Sequence, residues 1–164
     1  MALAAAPQAS AQDVCKRTID LNAANSEYAE QHVLDVGDVA GHQIRIFEIH
    51  RTYPEVEANC EGLKQTETRS HGYSDYIDRS GRAWGYNVDT LENGDKIYSQ
   101  FSGTSHTVIN PDGVRKSTYI GTATYTGGTG IYQGIRGTSR ATIIFDPEAN
   151  LNVGKLDLEY WLEN

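Results

Sequence analysis

The chain has 164 residues and a mass of 18.1 kDa, enough for one domain with a single sizeable core and too short for two. Its 14 Lys plus Arg stand against 22 Asp plus Glu, a formal charge of -8 that repels nucleic acid and anionic membrane, so neither is expected as a partner. Sixteen glycines, ten tyrosines and many threonines, with one methionine, suit pleated sheet better than packed helices.

Residues 2–12, ALAAAPQASAQ, are small and apolar and end in Ala9-Ser10-Ala11, the Ala-x-Ala pattern of a bacterial secretory cleavage site. Residues 1–12 are therefore expected to be the remnant of a signal peptide, with the mature chain beginning near Gln12. Residues 13–164 would then form one periplasmic or secreted domain. An Ala-rich tail on a cytoplasmic protein is the alternative. Cys15 and Cys60 make an even pair, which in an exported domain is expected to be a disulfide; two unlinked buried thiols are the other possibility. No CxxC or HxxxH spacing occurs, and no metal site is expected.

From residue 28 onward strand-length runs alternate with turn signals. A first run is predicted at 28–36 and a second at 42–53, HQIRIFEIHRTY. The second sets Glu48 and His50 on one face and Arg45, Phe47, Ile49 and Arg51 on the other. Glu48 and His50 are favoured as cavity residues, although His50 also fits a plain surface position. The run at 63–77, LKQTETRSHGYSDYI, sets Gln65, Glu67, Arg69, His71, Tyr73 and Asp75 on one face.

Turns then fix the pairing. The turn DRSG at 78–81 is expected to place Ile77 opposite Trp84 and Tyr73 opposite Val88. Asn93-Gly94, the preferred dipeptide of a two-residue type I′ hairpin, would set Trp84 against Gly103, Tyr86 against Phe101 and Val88 against Ser99. NPDG at 110–113 suits a type I turn with a bulge. On this register Trp84, Tyr86, Val88, Ile97, Phe101, Ile109, Val114 and Ile120 should point inward and Asn87, Asp89, Gln100, Thr104 and Arg115 should fall on the other side, and a slip of one residue would exchange the faces. Tyr98 and Tyr125, with Tyr119 further along, should lie outside, as an oligomer contact or as ordinary cross-strand pairs.

With further runs at 130–145 and 154–163 the count is about eight strands. The fold class is all-β, and a meander of this kind is expected to close into an up-and-down antiparallel barrel; a two-sheet sandwich is the alternative. The glycine-rich stretch GGTGIYQGIRG, residues 127–137, lies between two strands rather than between a strand and a helix. It is expected to turn a corner and tuck Ile131, Tyr132 and Ile135 against the barrel end, not to cradle a phosphate.

That stretch, preceded by GTATYTG and followed by an apolar strand, resembles the signature of the allene oxide cyclase-like barrels and the related dirigent proteins. The segments VLDVGDVAGHQIRIFEI and ENGDKIYSQFSG have the layout of bacterial members of that superfamily. The resemblance implies an eight-stranded barrel, often a homodimer or homotrimer, with a cavity for a hydrophobic or phenolic small molecule. It assigns no active-site residue to this chain.

The residues themselves suggest where chemistry would lie. If the 63–77 strand faces the lumen, Glu67, Arg69, His71 and Asp75 stand among aromatics, where buried charges must pair or shift their pKa. His71 or an acidic neighbour would act as base and Arg69 would stabilise negative charge, while Tyr73, Trp84, Tyr86, Phe101, Glu48 and His50 would hold the substrate. Glu67 and Arg69 also fit a structural ion pair near a wet mouth. The expectation is an exported isomerase, cyclase or lyase without a cofactor; a lipocalin-like carrier with the same cavity, or an architectural oligomer with a filled barrel, are the alternatives.

Overall fold

A computed structural model describes residues 13–163 apart from Asp112, and the expected signal remnant lies outside the described residues. Nine strands are found there: β1 (Cys15–Leu21), β2 (Ser26–Asp35), β3 (His42–Thr52), β4 (Gln65–Ile77), β5 (Ser80–Leu91), β6 (Lys96–Ile109), β7 (Arg115–Gly128), β8 (Ile135–Asp146) and β9 (Leu151–Leu162). They form one antiparallel sheet in the order β1-β9-β8-β7-β6-β5-β4-β3-β2, an up-and-down meander with β1 laid beside β9. The extra strand, β1, falls before the first predicted run.

β1 and β2 are the two edges, and no backbone ladder joins them, so the expected hydrogen-bonded closure is not formed. Side chains span the gap instead. Asn150 Oδ1 accepts the Tyr28 N–H at 3.1 Å, and Asn152 Nδ2 donates to the Tyr28 hydroxyl at 3.2 Å. Arg17 reaches the Glu57 carbonyl in the segment after β3 at 2.6 Å.

Two turns explain how the faces sort. Asp78 and Arg79 both adopt left-handed backbone, φ 49° and 63°, which makes the β4–β5 connection a two-residue hairpin pairing Ile77 with Ser80. Tyr73 therefore faces Trp84 instead of Val88, a shift of an even number of residues that keeps the two predicted faces together. The β5–β6 turn departs in the other way. Only Gly94 is left-handed there (φ 88°), and the Leu91 N–H donates to the Asp95 carbonyl at 2.8 Å, so the loop is Glu92-Asn93-Gly94. That is one residue longer than the predicted hairpin. Trp84, Tyr86 and Val88 consequently pair with Ser102, Gln100 and Tyr98, and they share a face with those residues and not with Phe101. The NPDG turn keeps its expected form, with Gly113 at φ 82° and its N–H donating to the Asn110 carbonyl, although Asp112 lies outside the described residues.

The inward face is the one carrying small residues. Ser70, Gly72 and Ser74 on β4, Ala83, Gly85 and Asn87 on β5, and Ser99, Gly103 and Ser105 on β6 occupy it by the period of two. Gly72 is required there by the Phe47 and Phe101 rings, and Gly85 by the backbone of β4 together with the Phe101 ring. A Cβ on Gly72 would stand 2.5 Å from Phe47 Cζ, and one on Gly85 would stand 2.8 Å from Phe101 Cζ. Small walls leave the curled sheet hollow. Ile109, Val114 and Ile120, predicted to point inward, are exposed.

One end of the hollow is plugged. Tyr132 and Ile135 have no exposed surface and pack with Leu91, Ile97, Tyr125, Tyr160 and Cys15, although Ile131 of the same stretch is exposed. Residues Gly130–Gly134 make a 3-10 turn, so β8 begins at Ile135 and not at 130. Thr129 fastens the corner by accepting the Lys96 N–H at 2.8 Å and donating to Asp95 at 3.0 Å. Asn59 donates to the Tyr132 hydroxyl at 2.6 Å, and a disulfide joins Cys15 to Cys60 beside it, as expected. The glycine-rich stretch turns a corner and builds the plug. Tyr125, predicted outside, belongs to this cluster, and Tyr119 lines the hollow.

Candidate functional site

The hollow is a cavity of about 130 Å³ to which every strand from β2 to β9 contributes. Phe47, Phe101, Phe145, Tyr53, Tyr76 and Tyr119 supply rings to its wall. Its polar groups are organised in register rows. Arg51 on β3 stands opposite Thr68 on β4, which stands opposite Asp89 on β5.

Within that row the hydrogen bonds have one consistent direction. The Thr68 hydroxyl and Asp89 Oδ1 are 2.6 Å apart, and an ionised carboxylate can only accept, so Thr68 donates. Thr68 has then used its proton, which makes the Tyr53 hydroxyl, 3.0 Å away, the donor to Thr68. Gln65 Nε2 also donates to Asp89 Oδ1, at 3.0 Å. Burial pushes the Asp89 carboxyl up from 3.8 to about 6, against the opposing pull of the Thr68 hydrogen bond and the Arg51 charge. Burial likewise pushes the Tyr53 hydroxyl up to about 12, so it stays a donor at neutral pH.

Arg51 is 6 % exposed. Its Nη1 donates to Ser70 Oγ at 3.2 Å and its Nη2 to Asn152 Oδ1 at 2.8 Å. The chain continues from Ser70 to Asn87 at 2.8 Å and from Asn87 Nδ2 to Ser99 at 3.0 Å, crossing three strands. Burial lowers the Arg51 pKa, and it lowers that of Arg45 as well. The Nε atoms of both arginines and the Tyr119 hydroxyl are buried without a hydrogen-bond partner among the described residues.

The ten residues expected to act inside are mostly elsewhere. Phe101 lines the cavity as expected. Glu48, His50, Glu67, Arg69, His71, Tyr73, Asp75, Trp84 and Tyr86 do share one face, but it is the outer one, with Trp84 43 % and Tyr86 56 % exposed. The cause is the register slip at Asn93-Gly94, together with small residues on the opposite side. On this outer face Arg69 pairs with Glu48 at 2.6 Å, His71 lies 3.4 Å from Glu48, and His50 bridges Glu67 at 2.8 Å and Glu27 at 3.2 Å. Tyr73 stacks on Trp84 with ring centroids 5.9 Å apart. Asp75 holds His42 Nε2 at 2.8 Å while Asp38 holds its Nδ1 at 2.6 Å. Those two contacts raise the His42 pKa, that to Asp75 most.

Asp89 and Asn87, expected on the outer side, line the cavity because of the same register slip, and Thr68, Tyr53 and Arg51 were given no role by the sequence. Gln65 is expected on the face of Glu67, but a bulge between Gln65 and Glu67 turns it inward beside Thr68. The legible signal was size: Ser-x-Gly-x-Ser at 70–74 and Ala-x-Gly-x-Asn-x-Asp at 83–89 alternate small inward residues with large or charged outward ones.

Among the described residues no cluster of three or more His, Cys, Asp or Glu is arranged to hold a metal ion, and no helix is long and apolar enough to cross a membrane. Compared with known protein families, curated proteins and solved structures, the chain matches none.

Proposed function

We propose that this protein is an exported, cofactor-independent isomerase, cyclase or lyase that acts on a small hydrophobic or phenolic molecule inside the curled sheet, which serves as a barrel-like container. The observation that carries this reading is Asp89: a carboxyl poised near neutrality in an aromatic chamber, with a cation in its own register row. Asp89 removes or returns the proton, taking the role expected of His71. Arg51 stabilises the negative charge that develops when the proton leaves, and the rings hold the substrate in its reactive conformation. The meander and the glycine-rich plug fit the resemblance to allene oxide cyclase-like and dirigent-like barrels. The Cys15–Cys60 disulfide favours an oxidising compartment such as the periplasm.

A homodimer or homotrimer would use the outer face, where Ile46, Tyr73 and Trp84 stand side by side in one row and are exposed. Sedimentation of wild type and Trp84→Ser tests that part.

The function is tested by incubating the protein with a panel of lignin-type phenolics and unsaturated fatty-acid derivatives. Product formation that disappears in Asp89→Asn supports the reading. Saturable binding with no product from any compound favours the lipocalin-like carrier, and absence of binding removes the container altogether.

A further inference from the structure

Two arginines face the cavity without an acidic partner. The arginines in ion pairs among the described residues are Arg69, Arg79 and Arg136; Arg45 and Arg51 take part in none. Both reach the lumen from β3, six residues apart, which separates their backbones by roughly 20 Å. Arg51 lies deep, beside Ser70 and Asn152, and Arg45 lies toward the end opposite the plug, where its neighbours include Tyr76, Arg79 and Glu148.

A buried guanidinium with no carboxylate in contact is costly, because the charge has left water and for Arg51 only the more distant Asp89 attracts it. Arg51 recovers two hydrogen bonds from neutral side chains, and its buried Nε has no hydrogen-bond partner among the described residues. The one carboxyl in its row, Asp89, is turned to Thr68 and Gln65. Proteins rarely keep such a group unless something else completes it. The wall beside Arg51 is apolar and aromatic, with Ile49 and Tyr53 from its own strand and the segment just after it, and Phe47 one further step along. A cavity of about 130 Å³ is close in size to one that admits a single benzene ring.

We infer that the cavity takes an aromatic monocarboxylate, one six-membered ring with a short acidic side chain, whose carboxylate seats on Arg51. The inference rests on the container reading above and narrows it from small apolar molecules in general to those carrying an anion. Arg51 binds the carboxylate as a fork, offering Nε with a free Nη hydrogen, the bidentate geometry that an arginine supports and a lysine does not. Arg45, on the way in, adds a second positive charge that draws the anion from solvent into a protein of net charge -8. The ring occupies the free volume of the cavity, walled by Phe47, Tyr53 and Phe101.

The test compares two probes of one shape, 3-phenylpropanoate and 3-phenylpropan-1-ol, by calorimetric titration of the full chain at pH 7.5. The acid is expected to bind at least tenfold more tightly than the alcohol. Arg51→Met should reduce the ratio to one or less while leaving alcohol binding in place, and Arg51→Lys should recover only part of it. Should Arg51→Met fail to fold, Arg45→Met and the wild-type acid-to-alcohol ratio still decide the matter. Equal or tighter binding of the alcohol by wild type, or an acid preference untouched by Arg51→Met, overturns the inference and leaves the container standing. Binding of neither probe overturns both.

Discussion

The Thr68 hydroxyl lies 2.6 Å from Asp89 Oδ1 and holds a carboxyl that burial has already pushed up to about 6. The carboxyl binds its proton more tightly in the folded chain than in the unfolded one, where its value is near 3.8, so its linkage runs opposite to that of most acids. Between about pH 4 and 6 the native state holds the proton and the unfolded state has lost it. Stability from this group is therefore complete below pH 4 and declines as pH rises through 6, by about 3 kcal/mol in the limit. Asp89→Asn should flatten that decline. Thermal melts from pH 4 to 8 should show the variant gaining on wild type as pH rises, with the largest advantage above pH 7. A variant less stable than wild type at pH 8 by more than at pH 4 would contradict the assignment.

The disulfide between Cys15 and Cys60 closes a loop across 45 residues and ties β1 to the plug. Chain-entropy arguments give about 4 kcal/mol for a loop of that length. Urea denaturation of Cys15→Ser/Cys60→Ser should show a loss near that size. An unchanged midpoint would mean that β1 and the plug hold together without the link.

Tyr132 sits at the centre of the plug, where its ring has no exposed surface and its hydroxyl accepts the Asn59 amide at 2.6 Å. Tyr132→Phe keeps the ring and leaves a buried donor unpaired, which costs about 1–3 kcal/mol. Tyr132→Ala adds a cavity and should cost about 3–5 kcal/mol. Equal effects in chemical denaturation would show that the hydroxyl, not the ring, matters most.

The outer charge cluster behaves differently. Arg69 and His71 are about half exposed and pair with the more covered Glu48 on the outer face. Exposed pairs of this kind contribute about 0–1 kcal/mol. Arg69→Ala and His71→Ala should therefore change stability by less than about 1 kcal/mol and leave ligand binding and turnover unaltered. A large loss of turnover in His71→Ala would return the active site to the outer face.

Much of the fold was legible because its signals are local. Period-two alternation marked the strands, NPDG and the glycine stretch marked their ends, and an even pair of cysteines marked a disulfide. The faces were not legible, because they depend on one turn. Asn93-Gly94 reads as a two-residue hairpin by preference, yet the chain includes Glu92 in the loop with Gly94 alone left-handed. That single residue carried Trp84 and Tyr86 outward and, with them, the whole His71 face of β4. Bulk misleads as well, because large apolar side chains ordinarily seek the interior. A hollow interior reverses the rule: glycine, alanine and serine line it, and the large residues left over stand outside. The site of Asp89 and Arg51 is not legible locally, because the pairing that sets them beside Thr68 depends on both neighbouring strands.

The most direct measurement fills the hollow without touching its charges. Ala123 and Ala141 line the cavity on β7 and β8, and leucine at either position occupies its free space. Titration of an aromatic ligand into Ala123→Leu, Ala141→Leu and the outer-face variant Tyr86→Ala compares the two sides of the sheet in one experiment. Binding should fall at least tenfold in both leucine variants and remain at the wild-type level in Tyr86→Ala. Undiminished binding in folded Ala123→Leu and Ala141→Leu, with loss in Tyr86→Ala, would put the ligand outside the sheet and end the cavity account.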